Sequence, residues 1–442
     1  MVRKVLTILL LVGGLGAIIY LRPTLFFQDT PPRIIDRLPE ADFIGKADVL
    51  ELARETSSMM DYHKIPFRDF TSYEFLLGQG KMYGLDLQKT IYIFGNERGD
   101  WGAMILVTDS SKVGQGLERL KKFIEVSDTL INDLRIFRYE EEKMYMHYGH
   151  NYLFFYTGDY FHSTFKSVLN AKYGEINLTW KKFLAQKHFK DEHLVIYSNW
   201  QKLKDLGIQT AMFAHDSDSL SFNLKSYLRR NTPFHIKKKI EGPSFNHIEN
   251  ASRSVELHLD ITELRQNLND PLLVWLNKMG KRFGFPLNDF LKAWDGDLCF
   301  MEGGVQHIQE TYIETELDDD FNTMEVEKTR DAIVPGYSVY MSSTGHAKRF
   351  ITRLMQKGIL TKTENQFRFL FSPPLNFVQN NTSLRFFSGS STPQIVTSNR
   401  NHIIWTHKGT RYNFSIDSLN RYEIFGSLKI PVRRIFRSNK II

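Results

Sequence analysis

The sequence predicts an α+β fold: two diverged copies of a strand-helix/antiparallel-sheet unit behind one N-terminal transmembrane helix. Three observations lead there. An uncharged run opens the chain. Short apolar or alternating runs repeatedly end in Asp, Ser, Thr, Asn or Gly and pass into helix-period segments. The order of these elements then recurs in two halves. The chain has 442 residues, 42% hydrophobic and 24% charged, a balance that excludes disorder and collagen-like structure. The sole cysteine, Cys299, excludes an intrachain disulfide framework and any zinc site built from several cysteines.

The opening run is Val5–Leu21 (VLTILLLVGGLGAIIYL), preceded by Arg3 and Lys4 and closed by Arg22 and Pro23. As a helix its length is roughly 25 Å at ~1.5 Å per residue, close to the ~30 Å hydrocarbon core. Tyr20 and Arg22 can reach the headgroups and make up the difference. The basic start predicts a single-pass signal-anchor with its N-terminus in the cytoplasm. The alternative is a cleaved signal peptide using Gly14 and Gly16, but Ile18–Leu21 would then be apolar where a polar stretch is expected. The expected organisation is therefore 1–4 cytoplasmic tip, 5–21 transmembrane helix and 22–35 linker. A first α+β repeat with a bridge follows over 36–250, and a second repeat with a basic C-terminal tail over 251–442.

Within the body, alternation marks half-buried strands, and the polar residue that follows each can cap a helix start. This pattern stands at Asp42–Leu52, Ala103–Phe123, Tyr152–Leu169, His193–Leu203, Ser254–Leu264 and Tyr337–Leu354. The first half then continues with strands at Leu134–Tyr139, Lys143–Tyr148 and Asn151–Tyr156. The second continues with strands at Phe367–Phe371, Leu384–Phe387 and His402–Thr406. Between the opening and third strands lie Asp86–Phe94 in one half and Phe290–Phe300 (FLKAWDGDLCF) in the other, both read as strands. This parallel order predicts the duplication. Aromatics are 13% of the chain, and runs such as LFFY (Leu153–Tyr156) suit strands facing a core.

The formal charge is +7, concentrated in Ser226–Ile240 and Arg421–Ile442. Such stretches are either solvated surface or attracted to anionic headgroups and cell-wall polymers. No nucleic-acid module accompanies them, so nucleic acid is not an expected partner.

Candidate chemistry is sparse. HFKDEH (His188, Asp191, Glu192, His193) puts His188 and Glu192 on one face of an expected helix, without the H-E-x-x-H zinc pattern. His147 and His150 flank an expected hairpin turn as surface imidazoles. His215, Asp216 and Asp218 lack the Gly and terminal Glu of a calcium loop. Ser163-x-x-Lys166 matches S-x-x-K, but the K-T-G partner is absent; only Lys408-Gly409-Thr410 stands in the chain. Gly78-Gln-Gly80 lacks the third glycine of a dinucleotide loop. Asp295 and Asp297 flank Gly296 and read as a tight turn feeding a strand, with two carboxylates binding a cation or acting on sugars as the alternative. No catalytic, cofactor or metal residue is assigned, and no cofactor is expected.

The stretches DRLPEADFIGKADVLELA (Asp36–Ala53), GLDLQKTIYIF (Gly84–Phe94), SVELHLDITEL (Ser254–Leu264) and FLKAWDGDLCF resemble uncharacterised bacterial envelope proteins of the domain-of-unknown-function type. Their phrase of leucine, three residues, Asn or Asp, then Gly–Asp and a hydrophobic residue is matched by Leu291, Asp295, Gly296 and Asp297; Lys89-Thr90 stands at the Gly–Asp place in the first half. The resemblance implies an N-terminal anchor, a repeated α+β body and a periplasmic address. It carries over no catalytic residue. The expected role is a membrane-anchored, non-enzymatic binding or scaffolding protein whose partners are the membrane and envelope proteins, glycan or lipid. The alternatives are an envelope hydrolase and a carrier of apolar ligands, the last requiring an open apolar cavity of ~300–1,000 Å³.

Overall fold

The computed structural model describes residues 32–63, 72–131, 133–218, 220–317, 323–363, 366–370, 372–388, 395–398 and 400–431. The predicted transmembrane helix 5–21, most of the linker and the end of the basic tail lie outside the described residues. Among the described residues no helix is long and apolar enough to cross a membrane. The architecture is mixed α+β on extensive antiparallel sheet. The chain divides into two compact units: residues up to Leu50 with Tyr73–Lys187, and Glu51–Ser72 with His188 onward.

The first unit holds β1 (Phe43–Ala47), the start of α1 (Val49–His63), α2 (Tyr73–Met82), β2 (Ile91–Gly95), β3 (Trp101–Leu106) and α3 (Ser110–Leu120). It continues with β4 (Val126–Ile131), β5 (Leu134–Tyr139), β6 (Met144–Tyr148), β7 (Tyr152–Thr157), α4 (Phe161–Leu169) and α5 (Leu178–Leu184). All neighbours are antiparallel, in the order β1-β2-β3-β7-β6-β5-β4. Asp109 caps α3 by accepting from the Ser111 and Lys112 backbone N–H groups, the strand–polar–helix step that the sequence suggests. Alternation along β7 buries Tyr152, Phe154 and Tyr156, and Phe154 packs against Phe165 of α4 at 5.7 Å.

The second unit contains α1 from Glu51, β8 (Leu194–Ser198), α6 (Gln201–Asp205), β9 (Ile208–His215), β10 (Ser221–Arg230), β11 (Lys237–Lys238), β12 (Ser244–Asn246) and β13 (Ala251–Asp260). Helices α7 (Thr262–Gln266), α8 (Pro271–Arg282) and α9 (Leu287–Ala293) precede β14 (Trp294–Leu317), β15 (Thr323–Ser343) and α10 (Ala347–Gln356). Then come β16 (Leu360–Thr363), β17 (Gln366–Phe369), β18 (Asn376–Gln379), β19 (Ser383–Phe387), β20 (Ile395–Thr397), β21 (His402–His407), β22 (Thr410–Leu419) and β23 (Glu423–Pro431). Its main sheet runs β8-β9-β10-β23-β22-β21-β13-β14-β15-β19-β18, again antiparallel throughout.

Three expectations change. Phe290–Ala293 is the end of helix α9, and the strand begins only at Trp294; the apolar run there fits a buried helix face as well as a strand. HFKDEH is a turn with Phe189 at φ +58°, so His188 and Glu192 share no helix face. Residues 188–230, expected as part of a bridge, form the regular ladder β8-β9-β10.

Candidate functional site

Strand β13 organises the site. Its side chains alternate, so Val255, Leu257 and Leu259 lie on one side of the sheet and Ser254, Glu256 and His258 on the other. Register carries both sets across to β14: Phe300 and Leu298 stand opposite Val255 and Leu257, while Cys299 and Asp297 stand opposite Glu256 and His258.

On the apolar side, α9 and α10 cover the sheet. Helix α10 buries Phe350, Ile351 and Leu354. Between it and the sheet residues Leu298, Val339, Leu384 and Phe386 lies a cavity of about 520 Å³, its wall almost wholly hydrocarbon and aromatic ring. Polar groups enter the lining at Arg253, Glu302, Tyr337 and Ser372. Arg253 reaches Glu302 at 2.9 Å, with the arginine side chain 60% exposed and the carboxylate 14%. Burial, and then the neighbouring Glu302, push the Tyr337 phenol up.

On the polar side, His258 is fully buried and its Nδ1 lies 3.2 Å from Asp297 Oδ1. Lys239 Nζ donates to Asp297 Oδ2 at 2.7 Å, and the Asp297 N–H donates to Ser342 at 2.8 Å. Burial alone would raise the Asp297 carboxyl, but hydrogen bonds from His258 and Lys239 outweigh it and hold the group below the usual carboxylate range. Glu256 approaches His402 Nε2 at 3.5 Å. Burial holds His402 below the usual imidazole range and pushes the Cys299 thiol up, leaving it protonated and inert. Glu256, His402, His247 and Arg400 line a recess of about 790 Å³.

A second polar cluster joins residues from two of the sequence candidates. Glu55 of α1 lies 3.6 Å from His193 Nε2 and 3.4 Å from His215 Nδ1. Burial raises the Glu55 carboxyl and lowers the His215 imidazole, so both lean towards their neutral forms. Among the described residues no group of three His, Cys, Asp or Glu is arranged to hold a metal ion.

The remaining candidates fall apart in space. Asp295 pairs with Arg265 at 2.9 Å, whereas Asp297 points into the buried network; what separates them is a bulge within β14, with Gly296 at φ +100°, rather than the tight turn expected ahead of the strand. Ser163 and Lys166 are both exposed on α4, and Ser163 donates to the Tyr160 carbonyl. Asp218 closes the β9–β10 turn by accepting from the Leu220 and Ser221 N–H groups. Gly78 and Gly80 sit inside α2. His188 packs on Tyr227 at 4.1 Å. His147 is 5% exposed, which corrects the surface reading; its Nδ1 lies 3.0 Å from the Arg135 carbonyl and its ring meets Phe165. In the basic stretch 226–240, Arg230 is buried against Asp270 rather than solvated. Sequence reasoning passed over Glu256 and His258, although their alternation with Val255 and Leu257 marks one polar side.

No protein-family model and no curated protein matches this sequence. Among solved structures, the one titled "Structure of crystal form I of TP0453" aligns with a TM-score of 0.30 at 8% identity, over 46% of this chain and 80% of that chain, a likeness too slight to support an inference about role.

Proposed function

We propose that this protein is a non-enzymatic carrier of apolar ligands, held at a bacterial envelope by the uncharged segment 5–21, with its N-terminus cytoplasmic and its body periplasmic. The observation that carries the proposal is the cavity of about 520 Å³ between α10 and the sheet. Its volume falls within the ~300–1,000 Å³ span of small-molecule sites, and such sites pair an apolar wall with a few polar groups that fix orientation. Arg253, Glu302, Tyr337 and Ser372 supply those groups, which suits an amphiphile with a hydrocarbon tail. The test is titration with a fluorescent fatty-acid analogue. Saturable one-to-one binding is expected, lost when Val339→Phe fills the cavity while the unfolding midpoint holds. Absence of saturable binding by the native chain overturns the reading.

We also infer that the two units descend from one. In the first, β1 pairs with β2, β2 with β3 and β3 with β7. In the second, β13 pairs with β14, β14 with β15 and β15 with β19. Helices follow the first and third strand of each series. This supports the duplication expected from the order of elements.

A further inference from the structure

Strands β14 and β15 continue well past the sheet. Beyond a bulge at Gly303–Gln306, they pair only with each other among the described residues, from Gln306↔Val334 to Leu317↔Thr323. At ~3.3 Å per residue that two-stranded arm is roughly 40 Å long. An isolated pair of strands is marginal in water, and its free edges invite a partner.

The arm has two chemically different faces. On one, Lys328 pairs with Glu314 and Glu316, and Arg330 lies over the Tyr312 ring. Charge there is largely cancelled. On the other, register places Glu325 beside Thr315, Glu327 beside Ile313 and Asp331 beside Gln309. These three carboxylates are exposed and have no ion pair among the described residues, and Ile313 and Ile333 on the same face are 67% and 69% exposed.

A complementary surface exists on the same chain. Ile404, Asn413 and Lys429 are aligned across β21, β22 and β23, with Arg411 opposite Thr406 on that same side. Arg411, Lys429 and the nearby Arg400 and Lys238 are exposed, with no ion pair among the described residues, and they outnumber the one exposed carboxylate in the same recess, Asp417. This surface therefore offers an excess of unpaired cations around an apolar residue, and the arm offers unpaired anions around two.

We infer that the acidic face of the arm docks on the Arg411–Lys429 surface of a second copy of this chain. Opposite fields steer such an encounter, and the arm gains the packing that an isolated hairpin lacks. The contact is independent of the ligand cavity.

The test is co-purification of two differently tagged full-length chains in detergent. Native chains co-purify at 50 mM salt, and recovery falls at least fivefold at 500 mM, where screening is short-ranged. Glu325→Lys/Glu327→Lys/Asp331→Lys lowers recovery at least tenfold among its own copies, as does Arg411→Glu/Lys429→Glu. Mixing those two variants restores recovery. Native chains that stay monomeric, association indifferent to either reversal, or mixing that restores nothing overturns the inference.

Discussion

Arg230 and Asp270 meet at 2.8 Å with side chains 1% and 5% exposed, an ion pair between the end of β10 and the cap of α8. Asp270 also accepts from the Leu272 N–H. Removing one partner of a buried pair leaves an uncompensated charge, costing about 3–5 kcal/mol. Arg230→Met is therefore expected to lose about that much in chemical denaturation. Arg230→Met/Asp270→Asn recovers a large part, because asparagine keeps the cap without the charge.

Gly296 and Gly174 separate strain from crowding. Both have positive φ, +100° and +80°. A Cβ at Gly296 would lie 1.8 Å from the Leu259 carbonyl oxygen, whereas one at Gly174 meets nothing within 4 Å. Gly174→Ala should cost about 1 kcal/mol from backbone strain alone. Gly296→Ala should cost clearly more and displace Asp297. Thermal melts of the two variants give the comparison.

The lowered Asp297 carboxyl makes stability depend on acid. Its charged form is favoured in the folded state, so the contribution is complete above the ordinary carboxylate range and is lost as pH falls through the lowered value. Unfolding midpoints from pH 7 down to pH 3 should decline for the native chain. For Asp297→Asn the midpoint should start lower and decline less steeply.

Enlarging the ligand cavity should expose its occupant. Leu354 is buried at the cavity wall, and Leu354→Ala is expected to cost about 2–5 kcal/mol. Saturating fatty-acid analogue should return part of this, since a ligand at a hundred times its Kd adds about 2.7 kcal/mol. Melting scans with and without ligand read both effects.

Much of the fold is legible in local pattern. The β5 boundaries, Leu134–Tyr139, coincide with the sequence reading, and β8 followed by α6 matches the His193–Leu203 reading because Ser198 and Asn199 break the strand. FLKAWDGDLCF is not separable that way: its apolar residues satisfy a buried helix up to Ala293 and a strand after it. The arm is hidden for a different reason. Its faces mix Glu, Thr and Ile, since neither is buried within one chain, and a period of two in hydrophobicity needs one dry side. The convergence of His193 and His215 on Glu55 is non-local, and no spacing rule reaches across it.

The two-sided character of β13 limits how the gene can change. Slipping this strand by one position against β14 would turn Glu256 and His258 towards the oily layer and bring Val255 and Leu257 up beside Lys239. Every side chain from Ser254 to Leu259 would then sit in the wrong solvent. Single-residue insertions or deletions within that stretch should abolish folding, whereas the same lesion in the exposed Asn170–Glu175 connection should leave the fold standing at a modest loss of stability.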